Sequence, residues 1–150
     1  MLNIHPIYII LTSIYILFSS PCNAEINCNE KVFVCETNSP SPLSLHLYKN
    51  DKSYYLTEFK IDNNSLVKSG TPIQFEKGSY HRPLVDEHSL TFVTNQLSVT
   101  LSDHKSEEFG ELETFFTVGV VNEGNQVNFT CDDGSYSNLS EIKDNVELDY

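Results

Sequence analysis

The sequence predicts an all-β fold, an antiparallel barrel or sandwich of about eight short strands with a short C-terminal helix and one disulfide bond. Short segments of alternating apolar and polar residues follow one another along most of the chain, as in half-buried strands. Turn-forming residues separate these segments at regular intervals, which is typical of antiparallel sandwiches and barrels. Two of the segments, Lys31–Cys35 and Gln126–Cys131, end in a cysteine and lie at opposite ends of this region.

The first strand is predicted at Lys31–Thr37, which alternates and is rich in valine, and a loop containing two prolines follows it. Leu43–Tyr48 alternates strictly, and the turn Asn50–Lys52 leads into Ser53–Ile61, so these two segments predict a hairpin. Its second strand is expected to place four side chains on one face: Tyr55, Thr57, Phe59 and Ile61.

The middle of the chain is less regular. Thr71–Glu76 predicts a short strand at a sheet edge, because Pro72 has no amide hydrogen to donate. Tyr80–Glu87 predicts an irregular loop, since Pro83 interrupts it.

Two further hairpins are predicted in the second half of the chain. Ser89–Thr94 and Leu97–Leu101 alternate on either side of a short polar turn, and Thr114–Val121 and Gln126–Cys131 do the same around Gly124. Between the two hairpins, Asp103–Glu113 is expected to be a charged connection.

A short helix is predicted near the C-terminus. Asn138 is a suitable cap, and Glu141 follows it at capping-box spacing. Three apolar residues would share one side of this helix: Leu139, Ile142 and Val146.

The amino terminus predicts a cleaved secretory signal peptide at residues 1–24. Ile7–Phe18 is apolar except for two hydroxyl residues, it is too short to span a bilayer comfortably, and Pro21 and small residues before Ala24 follow it. The remaining chain, residues 25–150, would form one β-rich domain that is secreted or periplasmic. Beyond the signal no stretch is apolar and long enough to predict a transmembrane helix.

Three cysteines remain after the predicted cleavage: Cys28, Cys35 and Cys131. Export into an oxidising compartment predicts one disulfide bond and one free thiol. A Cys35–Cys131 bond would join two strands as neighbours and is favoured, whereas a Cys28–Cys35 bond would close a short loop and stays open as an alternative.

The net charge of −12 is concentrated in the second half of the chain. Residues 103–150 contain 12 acidic and 2 basic residues, a balance of −10. This argues against nucleic acid as a partner, because phosphates require lysine and arginine. It permits a basic protein partner or a divalent cation, or a solvated surface that keeps the protein in solution.

No motif for catalysis or for a cofactor is present in the sequence. The serines lie outside any nucleophile elbow, and the cysteine spacing does not fit a structural zinc site. The segment richest in functional residue types combines an arginine with histidines and carboxylates: Tyr80, His81, Arg82, Asp86, Glu87 and His88. We interpret it as a contact loop for a protein partner. A metal site formed by His81, His88 and a neighbouring carboxylate is the alternative.

Several features resemble a group of small secreted bacterial proteins of uncharacterised function. These are the early strand ending in Cys35, Tyr80-His81-Arg82 before a hairpin, the Val127–Cys131 strand and the closing Leu139–Ile142 segment. Such proteins carry a second cysteine pair whose positions are leucines here, and the resemblance therefore implies a Cys35–Cys131 bond. It implies no established activity.

Ser69-Gly70 is similar to the inhibitory loop of the periplasmic inhibitors of c-type lysozyme, which are small acidic β-barrels with one disulfide bond. In this chain Ile73 stands where that family has an aromatic residue, and its lysine motif is absent. The resemblance adds Ser69 and Gly70 to the candidate contact residues.

Together these features predict an exported, monomeric binding or inhibitor protein that is not an enzyme and has no cofactor. Its partner would be a basic cell-wall-degrading enzyme, such as a lysozyme or a toxin. The alternatives are a metal-dependent hydrolase using the His81–His88 segment and an accessory protein of the cell envelope.

Overall fold

The computed structural model describes residues 30–38 and 40–143, and strands account for most of them. In chain order the strands are β1 (Glu30–Thr37), β2 (Leu43–Asn50), β3 (Ser53–Ile61), β4 (Asn64–Ser65), β5 (Thr71–Ile73), β6 (Phe75–Arg82), β7 (Val85–Thr94), β8 (Leu97–Ser106), β9 (Glu113–Asn122), β10 (Asn125–Thr130) and β11 (Tyr136–Ser137). Eight of these described strands have six or more residues, in agreement with the number predicted. The single strand predicted at Thr71–Glu76 is instead divided between β5 and the start of β6.

The strands form two antiparallel sheets that share one core. The first sheet has the order β11-β1-β2-β3-β4, with β5 also paired to β3, and the second has the order β10-β9-β8-β7-β6. The chain passes from the first sheet to the second at Gln74, between β5 and β6. The all-β antiparallel prediction is confirmed, in its sandwich form.

The core consists of the inward-facing residues of both sheets. From the first sheet, Phe33, Leu45 and Phe59 are fully buried, and Leu90 and Leu101 are fully buried from the second. Burial of apolar area of this kind is the main favourable contribution to folding. The two sheets therefore share one hydrophobic core.

Cys35 and Cys131 form a disulfide bond, with 5.1 Å between their Cα atoms. The predicted pairing is confirmed, but the two strands are not neighbours in one sheet. Cys35 belongs to β1 in the first sheet, and Cys131 directly follows β10 in the second. The amide of Asp132 donates a hydrogen bond to the carbonyl of Glu36 at 2.8 Å beside it. The bond therefore joins the two sheets. Cys28 lies outside the described residues.

The first hairpin is confirmed, but the face predicted for its second strand is wrong. Leu45 pairs with Phe59 and Leu47 with Leu56, so β3 has one more residue than β2 across this stretch. The extra residue, Thr57, forms a β-bulge that shifts the alternation. As a result Tyr54 and Leu56 are buried together with Phe59, and Tyr55 and Thr57 are not.

The predicted irregular loop at Tyr80–Glu87 is also wrong, because this stretch is the end of a regular hairpin. Strands β6 and β7 pair as far as Arg82 and Val85, and only Pro83 and Leu84 form the turn between them. Proline has the backbone angle required at the first central position of a type II turn, and Leu84 has the positive φ, 69°, required at the second.

The other two hairpins are confirmed, and β8 is longer than predicted because Asp103–Ser106 continues it. The connection to β9 is therefore only residues 107–112. Both hairpin turns have positive φ at their two central residues, as the right-handed twist of paired strands requires: Asn95 with Gln96, and Glu123 with Gly124.

The C-terminal helix is a single 3-10 turn, Leu139–Glu141, rather than an α-helix, and Asn138 makes no side-chain capping bond to it. Leu139 and Ile142 are buried, whereas Val146 lies outside the described residues. The predicted signal peptide lies outside them as well. Within the described part of the chain, no helix has the length and apolar character needed to cross a membrane.

Candidate partner-binding surface

The six candidate residues from Tyr80 to His88 lie together at the end of the β6–β7 hairpin. Tyr80 pairs with Glu87, His81 pairs with Asp86, and Ser79 pairs with His88. Successive side chains point to opposite faces of a strand. Tyr80 and Glu87 therefore lie on the outer face of the second sheet, and His81, Asp86 and His88 lie on the inner face.

A hydrogen bond on the inner face joins His81 and Asp86, with 2.9 Å between Nδ1 and Oδ1. The hydrogen bond from His81 holds the pKa of the Asp86 carboxyl below its usual range, and desolvation opposes this effect only in part. Both side chains are accessible to solvent, so the pair contributes little to stability.

His88 faces the interior of the sandwich opposite Asp103, its register partner on β8. Asp103 is buried, and its Oδ2 accepts a hydrogen bond from Ser137 Oγ at 2.6 Å. Among the described residues, neither His88 Nδ1 nor Asp103 Oδ1 has a hydrogen-bonding partner. The Asp103–Ser137 hydrogen bond links β8 of the second sheet to β11 of the first. It therefore helps to hold the C-terminal segment in place between the two sheets.

The connection after β8 packs beside the hairpin turn. The amide of Glu107 donates to the carbonyl of Leu84 at 2.9 Å, and Arg82 Nη1 lies 2.7 Å from Glu108 Oε1. Three large apolar side chains are nevertheless exposed here: Leu84 by 57%, Leu112 by 67% and Phe109 by 82%. We define the tip surface by seven residues: Leu84, Glu107, Glu108, Phe109, Glu111, Leu112 and Glu113.

The tip surface and its immediate surroundings are acidic. Asp86 and Glu87 join the four glutamates of the tip surface, and the cations nearby are Arg82 and Lys105, so six carboxylates face two cations for a balance of −4. Exposed apolar residues among solvated glutamates match the layout of a binding interface, in which an apolar centre is surrounded by a polar rim.

A cavity of about 280 Å³ lies between the hairpin end and the connection. Leu84, Val85 and Leu112 form its apolar walls, and groups of both signs, among them Lys105 and Glu107, surround it. The charged part of the lining therefore has no single sign. The cavity is a recess in the tip surface into which an apolar group could fit.

Ser69 and Gly70 lie far from the tip surface. The amide of Gly70 donates to the carbonyl of Leu56 at 2.8 Å, and nearby Leu66 accepts a bond from the side chain of Asn95, which is at the other end of β7. With about 3.4 Å per strand residue, the length of β7 separates the two regions by roughly 30 Å. The structure does not bring the two sets of candidate contact residues together.

The described part of the chain contains no preformed metal-binding site. Across residues 30–38 and 40–143, His, Cys, Asp and Glu nowhere gather in a group of three or more that could hold a metal ion. His81 and His88 share a face, but His81 is bonded to Asp86 and His88 faces the interior beside Asp103.

Sequence reasoning missed the apolar members of the tip surface. Phe109 and Leu112 are isolated among glutamates in a segment interpreted only as a charged connection, and Leu84 follows a proline. The available signal was the presence of large apolar residues where a solvated connection needs none.

Comparison of the chain with protein-family models, with curated proteins and with solved structures finds no match in any of the three.

Proposed function

We propose that this protein is an exported, non-catalytic binding protein that inhibits a basic cell-wall-degrading enzyme, such as a lysozyme or a toxin, through the tip surface. The observation that carries the proposal is the coincidence, at one end of the second sheet, of three exposed apolar side chains with an acidic surround. An apolar centre would supply binding energy, and the carboxylates would attract a basic partner.

The overall charge supports the same kind of partner. A net charge of −12 accelerates the approach of a basic protein at low ionic strength, and salt screens this attraction. The disulfide bond between the sheets fits a protein that works in an oxidising compartment, where such bonds persist.

Leu84 provides independent support. A positive φ is unfavourable for a leucine, by about 1–2 kcal/mol, and an exposed leucine side chain gains little from burial in return. Glycine would fit this turn position without strain. Strained residues of this kind are concentrated at functional sites, which is consistent with a contact made by this side chain.

The test is inhibition of a panel of lysozymes and other basic cell-wall hydrolases by the mature protein at micromolar concentration. We expect at least one enzyme to be inhibited, with weaker inhibition at high salt. The double variant Phe109→Ser/Leu112→Ser should raise the inhibition constant by tenfold or more, since hot-spot side chains contribute on this scale.

The matched control is Val93→Ser/Val127→Ser, which removes two apolar side chains that are exposed elsewhere on the second sheet. This control should inhibit like the wild type. If no enzyme of the panel is bound or inhibited, or if both double variants behave alike, the proposal is wrong.

A further inference from the structure

A row of four side chains crosses the outer face of the second sheet beside the tip surface. Tyr80 on β6, Glu87 on β7, His104 on β8 and Phe115 on β9 are successive register partners. Directly paired residues have Cβ atoms about 4.5–5.5 Å apart, so neighbouring members of the row are within contact distance.

Two contacts hold three of the four members of the row in place. The His104 ring stacks on the Phe115 ring, with 4.6 Å between centroids, and His104 Nδ1 lies 3.6 Å from Glu87 Oε2. The Glu87 carboxylate is therefore positioned, but it remains partly exposed and its neighbour is charged only when protonated.

Tyr80, the fourth member of the row, is open to solvent. Its side chain is 55% exposed, and within the described part of the chain no hydrogen bond or cation contact involves it. The adjacent row toward the middle of the sheet carries only small side chains: Gly78, Ser89, Ser102 and Thr117. The ring can therefore be approached from that side.

Two other tyrosines in the described part of the chain already contact a lysine of the same chain. Lys31 Nζ lies 5.5 Å from the ring centroid of Tyr136, and Lys49 Nζ lies 5.8 Å from that of Tyr54. Tyr80 differs because its register partner is a carboxylate and the nearest arginine on its own strand, Arg82, is paired with Glu108.

We propose that Tyr80 and Glu87 bind an arginine side chain of the basic partner. A guanidinium group stacks on an aromatic face and donates two parallel hydrogen bonds to a carboxylate, whereas an ammonium group is a compact, strongly hydrated charge without this geometry. The inference rests on the proposed function and specifies the chemical group that the partner presents beside the tip surface.

The test measures binding of a nona-arginine and a nona-lysine peptide to the mature protein by calorimetry at low salt. The two probes have the same formal charge, so general electrostatic attraction affects both. We expect the arginine peptide to bind about fivefold more tightly, the difference that a stacked and bidentate contact supplies.

Two variants and two controls test whether the preference for the arginine peptide depends on Tyr80 and Glu87. Glu87→Gln and Tyr80→Ala should each reduce it to less than twofold. Glu76→Gln removes an exposed carboxylate from the same strand and face as Tyr80, and Tyr136→Ala removes an exposed tyrosine from the first sheet; both should retain the preference.

Equal affinity for the two peptides, or a preference that survives Glu87→Gln, would overturn the inference. Binding of a neutral chitin oligosaccharide that is lost in Tyr80→Ala but retained in Glu87→Gln would also overturn it, by assigning the row to a glycan. The tip variant Phe109→Ser/Leu112→Ser should keep the arginine preference. A failure of enzyme inhibition alone therefore counts against the proposed function and not against this site.

Discussion

Leu84 combines a strained backbone with an exposed apolar side chain, at the turn where the candidate surface begins. The sequence did not predict this conformation, because leucine is not a typical turn residue and Pro83 by itself indicated irregular structure. The hairpin forms anyway because the paired strands on either side determine the turn.

The variant Leu84→Gly should leave the free energy of unfolding unchanged or raise it by up to about 1 kcal/mol. Glycine relieves the strain of the positive φ, but its greater freedom in the unfolded chain offsets part of the gain. Inhibition of the partner should weaken at the same time. Urea unfolding and inhibition assays measure the two effects, and a loss of more than about 1 kcal/mol would show that Leu84 is a structural residue.

Glu58, on β3 of the first sheet, makes the stability of the protein depend on pH. Its carboxylate accepts hydrogen bonds from Lys60 Nζ and from Ser44 Oγ, and these two bonds, the Lys60 bond first, hold its pKa below the ordinary value of 4.5, against the effect of burial. A lowered folded-state pKa stabilises the protein above the unfolded value, and this stabilisation is lost as the pH falls through the lower folded-state value.

The variant Glu58→Gln should therefore lose less stability than the wild type between neutral pH and about pH 3. Because the group is partly exposed, the difference should be below about 1 kcal/mol. Chemical unfolding at pH 7 and pH 3 measures it. Parallel loss of stability in the two proteins would contradict the assignment, and Glu123→Gln, a change in an exposed turn, serves as the control.

At the scale of elements, alternation and turn residues predicted three hairpins, β2–β3, β7–β8 and β9–β10, because each depends on local sequence, whereas the β6–β7 hairpin was missed. The bulge at Thr57 could not be predicted in this way, since Tyr55, Thr57, Phe59 and Ile61 continue a plausible alternation. Leu56 and Phe59 are both buried because the core requires them opposite Leu47 and Leu45. Tertiary packing, rather than local pattern, selects the face.

Deletion of Thr57 should therefore be tolerated. Without this residue, Leu56 and Phe59 are separated by one outward residue and alternate regularly with the partner strand. Deletion of Thr91, in the regular strand β7, should prevent folding, because it would turn one side of the strand to the wrong face. Far-UV circular dichroism and thermal melts distinguish the two deletions, and equal effects would contradict this account of the bulge.

At the scale of the whole molecule, the disulfide bond joins the first long strand to the end of the last long one across the two sheets. The sequence allowed this pairing without showing that it crosses between sheets, because strand order is set by packing over long distances. The cysteines are 96 residues apart. Closing a loop of this length stabilises the folded chain by up to about 4.7 kcal/mol in the chain-entropy account.

Replacing both cysteines, Cys35→Ala with Cys131→Ala, should cost roughly 2–5 kcal/mol of unfolding free energy. Guanidinium unfolding of the oxidised protein and of the variant measures this loss. The variant Cys28→Ala should match the wild type, since Cys28 takes no part in this bond. If Cys28→Ala were the more destabilised protein, a different pairing would hold the native fold.

The candidate surface was only partly predictable, because it also depends on packing between segments that are not adjacent in the sequence. The residue types in Tyr80–His88 indicate a candidate site from the sequence alone. Their division between the two faces of the second sheet, however, follows from strand pairing. Phe109 and Leu112 join them only because residues 107–112 pack beside Leu84.

The central claim is that the tip surface is where a basic enzyme binds. Hydrogen–deuterium exchange of a protein comprising residues 25–150, with and without an enzyme that it is found to inhibit, tests this directly. Slower exchange on binding is predicted for residues 80–87 and 107–115, with residues 64–74 unchanged. Protection of residues 64–74 instead, around Ser69 and Gly70, would contradict the account and place the contact at the opposite end of the molecule.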